Sequence, residues 1–205
     1  MLAKQKNMLK NKILILDSNR ATFTVIRSLS ENGYGAIVGY IKDIAGERFV
    51  KFSRYTSETW SHPRFNEEER FIEALLCLLS ERSEINYIFP VGDISSGLLA
   101  RNYNQIIPYC IIITAKPAAI EICLDKTMIY NYVIKQNVPL PETKVVRNTV
   151  DIDTQIEKIG YPFILKPKNN ILPFFGKKCI ICGTPNEYNK YFPKWPEKHQ
   201  ELVFQ

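Results

Sequence analysis

The chain has 205 residues, 45% of them hydrophobic and 23% charged, which suits one large domain or two small ones with a real core. Its net charge of +6 is scattered beyond a short basic start at Lys4, Lys6, Lys10 and Lys12, which argues against a nucleic-acid partner and suits an anionic small ligand. No apolar run reaches the ~18 residues of a membrane span, and "ILIL" at 13–16 is too short for a signal peptide, so a cytoplasmic protein with no membrane partner is expected.

Residues 1–11 read as a flexible polar start. "KILILD" (12–17) reads as a buried strand ending in an acid. "RATFTVIRSLSENG" (20–33) follows as a helix, with Phe23, Ile26 and Leu29 at helical spacing and Gly33 closing it. "GAIVGYI" is a second strand, and this β-α-β opening implies a parallel sheet. "NEEERFIEALLCLLSERS" (66–83) carries the strongest helical pattern. Asn66 is its expected N-cap, Glu67 to Glu69 favour the positive end of the dipole, and Phe71, Leu75, Leu78 and Leu79 form the buried stripe. "NYIFPVGD" (86–93) gives a strand and turn, "SSGLLARNYN" a short helix and "YCIIIT" a further strand. Residues 12–115 therefore read as an open α/β domain.

A second domain is expected over 116–205. "KPAAIEICLDKTMIYNYVIKQN" (116–137) is helical in two pieces, with Asp125 capping the second. "VPLPETKVV" (138–146) reads as a turn and strand, and "DIDTQIEKIG" (151–160) as a helix ending at Gly160. "YPFILKP", "KKCIICG" and "ELVFQ" (201–205) read as strands. A strand at the C-terminus with no polar tail is the mark expected of a fragment or a truncated gene product. The five cysteines, an odd number, fit a reducing compartment better than a disulfide framework. In "CIIC", strand geometry puts positions three apart on opposite faces. Cys179 and Cys182 are then expected to be core residues, not joint ligands of a metal.

The turn "LDSNRAT" has no glycine, so the dinucleotide fingerprint is absent, which argues against an NAD-dependent enzyme. P-loop, HExxH and GxSxG motifs are missing too. Asp17 reads as a cap for a loop or helix, with a ligand role as the alternative. "PVGD" puts Gly92 and Asp93 at the C-terminal end of a strand, the edge where open α/β sheets bind ligands. The plainer reading gives Gly92 the turn and Asp93 a helix cap. Lys126 begins a helix beside Asp125, where a solvated lysine would be unremarkable. Lys166 is different. It stands inside an apolar strand just before Pro167, where an ammonium needs an anion or a route to water. Two lysines aimed at one cleft would suit a polyphosphate.

"LDKTMIYNYVIKQNVPLPETKVV" followed by "IGYPFILKP" resembles the start of an ATP-grasp domain: a "DK" helix, a "GVPxPxT" turn and strand, a helix, then "GYPxxxKP". "ILILDSN", "RSLSENGYGAIVGYI" and "YIFPVGD" resemble the α/β domain preceding it in the branch of ATP-dependent carboligases and the carbamoyl phosphate synthetase large chain. The resemblance implies an α/β fold: an open parallel-sheet pre-ATP-grasp domain (12–115), then the N-terminal α+β lobe of the ATP-grasp domain (116–205), with the C-terminal lobe missing. It implies ATP and Mg²⁺ as cofactors, the metal ligands lying beyond the end of this chain. It implies a small carboxylate substrate, an amine or other nucleophile, and an acyl-phosphate intermediate in the full enzyme. A homodimer is compatible with it. Lys126 and Lys166 match the family's two phosphate-contacting lysines, Lys126 at the α-phosphate and Lys166 at the α- and β-phosphates near adenine N7.

Two departures stand out. Where the family has a glycine-rich lid, this chain reads "PKNNILPFFGKK" with Gly176 alone, and backbone approaches phosphate less readily without glycine. Lys177 and Lys178 are candidate phosphate contacts there, with a surface role as the alternative. The adenine hinge and metal carboxylates would follow Gln205, so turnover is not expected from these residues alone. Asp17, Arg20 and Asp93 are the candidates for substrate contact at the edge of the first domain. Two rival readings are a truncated or degenerate ATP-grasp-like binding module without chemistry, and a nucleotide-sugar or dinucleotide-binding α/β protein, the latter disfavoured by "LDSNRAT".

Overall fold

A computed structural model describes residues 11–41, 49–169 and 174–205. The chain forms two compact units, one ending at Ile120 and the other beginning at Glu121.

The first unit is built on β1 (Lys12–Leu16), α1 (Arg20–Glu31), β2 (Gly35–Ile41), β3 (Glu58–His62), α2 (Glu68–Glu81), β4 (Ile85–Pro90), α3 (Asp93–Arg101), α4 (Tyr103–Ile106) and β5 (Ile111–Ile112). The five strands run parallel in the order β3-β2-β1-β4-β5. β1 lies in the middle, and its side chains feed two cores by simple alternation. Leu14 and Leu16 pack with Phe71, Leu75 and Ile88. Ile13 and Ile15 pack with Ile26 and Val38. This double burial is why "KILIL" reads as an unbroken apolar run.

The structure changes some of the expected details. α2 starts at Glu68 with Glu67 as its N-cap and no side-chain cap bond. Asn66 lies one residue outside, within a turn in which Glu67 N–H donates to Arg64 C=O at 2.9 Å. Ile72 joins Phe71, Leu75 and Leu79 in the fully buried set, while Leu78 is only partly buried against the same core. β3 carries no apolar run: in "ETWSH" only His62 is buried. Pairing with β2 holds it, and Glu58 forms ion pairs with Lys12 and with Arg82.

α5 (Pro117–Leu124) precedes α6 (Lys126–Lys135), β6 (Lys144–Val146), α7 (Thr149–Ile159), β7 (Phe163–Pro167), β8 (Ile180–Cys182), α8 (Pro185–Tyr191) and β9 (Leu202–Phe204). The second sheet is antiparallel, ordered β6-β9-β7-β8. One face carries Phe163, Leu165, Ile180, Leu202 and Phe204 into a core with Ile152 of α7 and Tyr188 of α8. Phe163 and Phe204 stack with centroids 4.7 Å apart. Along β7, Phe163, Leu165 and Pro167 are buried, while Ile164 and Lys166 are half-exposed on the opposite face. The expected immersion of Lys166 in a wholly apolar strand is therefore corrected. Its strand is buried on one side only, and the ammonium takes the open side.

Cys179 lies just before β8 and is half-buried, whereas Cys182 is fully buried. Burial pushes the Cys182 thiol up to about 11, which leaves it protonated and unreactive.

Candidate functional site

Each unit carries part of the candidate chemistry. In the first, β1 sits between β2, reached through α1, and β4 on its other side. That is a topological switch point, the place where a parallel sheet opens a crevice at the carboxyl ends of its strands. Asp17 stands at the end of β1 with φ 76°. Its carboxylate accepts from Val91 N–H at 3.3 Å, Gly92 N–H at 2.8 Å and the Ser95 hydroxyl. Gly92 is the N-cap of α3 and offers no side chain, so Asp17 caps that helix from another strand. The approach needs glycine, because a Cβ at Gly92 would lie 2.8 Å from Asp17 Oδ1. Arg20 is the exposed first residue of α1, and Asp93 the exposed first residue of α3. The structure thus brings Asp17, Arg20 and Asp93 to one edge of the sheet, with the Asp17 carboxylate already engaged.

His62 closes β3 at the same edge and was not among the expected site residues. It is 5% exposed, with Nδ1 2.7 Å from Pro63 C=O and, among the described residues, no hydrogen-bond partner at Nε2. The rings of Trp60, Phe65 and Phe71 surround it at 5.0–5.1 Å. Burial lowers its pKa below the ordinary 6.5, opposed by the Pro63 carbonyl and the Asp17 charge. The unfolded chain therefore takes up this proton first as pH falls. Stability is expected to be full above the unfolded value near 6.5 and to decline as pH drops toward the lowered folded value. Urea melts at several pH values should show that decline, and His62→Phe should flatten it; an unchanged slope in the variant would assign it elsewhere.

In the second unit, the Lys166 ammonium donates to Gln205 Oε1. Gln205 Nε2 donates to Thr143 Oγ1 at 2.9 Å, and Thr143 donates to Pro141 C=O at 2.7 Å. The lysine is thus held by a neutral relay from the end of β9 to the turn before β6. Lys126 is the half-buried first residue of α6. Asp125 caps that helix, accepting from Thr127 N–H at 2.8 Å and Met128 N–H at 3.0 Å. The backbone N–H of Lys126 donates to Lys168 C=O at 2.8 Å. That bond ties the start of α6 to the end of β7, so Lys126 and Lys166 belong to one frame.

The frame is reinforced by residues that sequence reasoning missed. Lys168 Nζ lies 3.2 Å from Asp125 Oδ2 and 3.0 Å from Glu201 Oε1. Thr127 Oγ1 bonds both carboxylates, at 2.7 and 3.3 Å, and Arg147 reaches Glu201 at 3.5 Å. Burial disfavours ionised Asp125, but bonds from Thr127, Met128 and Lys168 outweigh it and hold the carboxyl below its usual range. Glu201 and Asp125 in turn hold the Lys168 ammonium protonated. The one available signal was position: Lys168 lies two residues after Lys166, and nothing in the sequence pairs it with Glu201. A recess of about 340 Å³ opens beside this network, lined by Lys168, Asn169, Lys198, His199, Gln200 and Glu201.

Lys177 donates to the Tyr191 hydroxyl at 2.9 Å and lies 5.1 Å from that ring's centre. Lys178 is exposed next to it. Residues 170–173 of the candidate lid lie outside the described residues. After them, Phe174 is buried edge-on against His199 at 5.3 Å and anchors this end of the loop in the core, while Phe175 is exposed. Phe175 and Gly176 then turn through left-handed φ values of 51° and 70°.

Among the described residues, no group of three or more His, Cys, Asp or Glu side chains could hold a metal ion. Among them, too, no helix is long and apolar enough to cross a membrane.

No family model matches the sequence. The chain is 26% identical over 190 residues to a D-aspartate ligase of Enterococcus faecium (strain Aus0004), covering 86% of this chain and 44% of that protein. Among solved structures it resembles an N5-carboxyaminoimidazole synthetase of Staphylococcus aureus complexed with ADP, with TM-score 0.69 and 20% identity over 95% of this chain and 47% of that one. An L-amino acid ligase of Bacillus licheniformis gives TM-score 0.69 and 14% identity over 95% of this chain and 43% of that one. The chain therefore spans less than half the length of the proteins it matches.

Proposed function

The fold is that of the N-terminal portion of the ATP-grasp superfamily, and from it we propose that the chain supplies the first part of an ATP-dependent carboxylate–amine ligase. The observation that carries this reading is the Lys126 N–H bond to Lys168 C=O, which fixes two lysine-bearing elements in one frame. A triphosphate spans several ångströms and needs charges at set positions along it, and two anchored lysines meet that need where two mobile ones would not. Lys126 also sits in the first turn of α6, whose N–H groups are taken up by Asp125 and the Lys168 carbonyl, so its contribution to an anion is the side-chain charge.

In this reading Lys126 and Lys166 hold the phosphates, with Lys177 and Lys178 as further contacts after the loop. Mg²⁺, when bound in the full enzyme, neutralises phosphate charge during transfer. The described carboxylates of this chain do not form a set suited to it, and no step is assigned to them. The substrate carboxylate would attack the γ-phosphorus, forming an acyl phosphate and releasing ADP. An amine would then attack the acyl carbon and expel inorganic phosphate. Arg20 and Asp93 are the proposed substrate contacts of the first unit, with Asp17 holding their turn in shape. The D-aspartate ligase relative makes an amino acid the first candidate for one of the two partners.

Calorimetric titration of ATP with Mg²⁺ into the chain tests the proposal. Lys126→Ala and Lys166→Ala are each expected to weaken binding about tenfold or more, or ~1.4 kcal/mol. Affinity untouched by both substitutions would sink it.

A further inference from the structure

We infer that Lys168 is a positioning residue, a charged latch that sets the spacing between Lys126 and Lys166. The inference rests on the nucleotide reading above but concerns a residue to which that reading gives no contact with ATP. Lys168 follows Lys166 by two residues, just past the end of β7. Its carbonyl accepts the Lys126 N–H, so its backbone forms the joint between the two elements. Its side chain locks the joint by lying between two carboxylates. Asp125 is the N-cap of the helix that Lys126 begins, and Glu201 immediately precedes β9. The three elements that frame the two lysines, α6, β7 and β9, meet at this one ammonium.

The burial pattern gives the latch its force. The Asp125 and Glu201 side chains are only 15% and 17% exposed, whereas Lys168 is 43% exposed. The carboxylates are thus poorly hydrated, and Thr127 Oγ1 sits within reach of both. Without the ammonium, two half-desolvated negative charges would face each other across a single hydroxyl, and repulsion would drive the α6 N-terminus away from β9. Arg147, at 3.5 Å from the far oxygen of Glu201, does not stand between the two carboxylates. Lys126 would move with its helix while Lys166 stayed on the sheet. A displacement of about 1 Å is enough to cost a large factor where geometry is stringent.

The experiment compares ATP·Mg²⁺ affinity and amide exchange in the intact chain and in Lys168→Met, Lys168→Arg and the double variant Lys168→Met/Glu201→Gln. Lys168→Met is expected to lose about tenfold or more in affinity and to speed exchange at Lys126 and Thr127. Lys168→Arg, which keeps a charge between the carboxylates, should recover most of both. The double variant removes the repulsion and should recover stability and exchange protection more than affinity. If Lys168→Met binds ATP like the parent chain, the latch is overturned and the nucleotide reading stands. If the parent chain binds no ATP, the nucleotide reading falls and the latch loses its role in binding. A loss of stability in Lys168→Met with affinity intact would make Lys168 a structural residue only, and would overturn the inference.

Discussion

Replacing Phe163 with alanine is expected to destabilise the second unit by about 4 kcal/mol, the usual cost of deleting a buried aromatic ring. Phe163 is 1% exposed. Its ring stacks on Phe204 at 4.7 Å and meets Tyr188 edge-on at 6.0 Å. It therefore joins β7, β9 and α8, and the cavity left by its removal would have rigid strands on one side. The chain's two tryptophans provide separate reporters: Trp60 packs against a core of the first unit and Trp195 against that of the second. Urea unfolding followed in a Trp60→Phe background reads the second unit through Trp195. The midpoint should fall sharply, and nucleotide binding should fall with it because Lys166 rides on the same strand. A loss below about 1 kcal/mol would mean that the second core closes around the gap.

Asp17→Ala should cost the first unit about 2 kcal/mol. The carboxylate accepts from two backbone N–H groups and from Ser95, which is 0% exposed. Removing it takes the acceptor from Gly92 N–H, whereas Val91 N–H keeps Leu16 C=O at 3.3 Å and the Ser95 hydroxyl keeps Gly92 C=O at 3.0 Å; a stranded donor costs ~1–3 kcal/mol. Asp17→Asn keeps one acceptor oxygen but presents an amide donor to a turn already made of donors, so it should recover only part of the loss. Unfolding read by Trp60 in a Trp195→Phe background measures both. A stability near that of the parent chain in Asp17→Ala would show that water replaces the carboxylate, and would return Asp17 to the pool of ligand candidates.

What the sequence disclosed follows from how each element is buried. β1 and β2 lie inside a sheet covered on both sides, so they appear as apolar runs, and with the helix between them their parallel pairing was legible. β3 lies at the edge with only His62 fully buried, and "ETWSH" has no run to read. Asp125 as a cap was legible from its place before a helical pattern. The equivalent signal at Asn19 was overlooked, although its side chain accepts from Ala21 and Thr22 N–H and Thr22 answers with its hydroxyl, a capping box. Lys166 stood out because it interrupts an apolar strand, and Lys126 through the resemblance of its "DK" helix start. Their supports did not, because Gln205, Thr143, Glu201 and Lys168 are ordinary polar residues made significant only by chain crossings. The same holds for Asp17, whose partners lie on a different strand.

β9 is the last of the described strands in the sequence, yet it occupies the inside of its sheet, bonded to β6 on one edge and β7 on the other. During synthesis the chain lays down β6, α7, β7, β8 and α8 before the strand that joins β6 to β7 exists. The first unit, whose described strands are complete by Ile112, can close early, since domains fold as units in the order they emerge. The second must wait, holding Phe163 and Leu165 without their partner Phe204. That interval exposes an apolar strand edge, the kind of surface on which nascent chains associate wrongly. The same insertion delivers Gln205 to Lys166 and Glu201 to Lys168, so both lysines gain their side-chain supports in the step that closes the sheet.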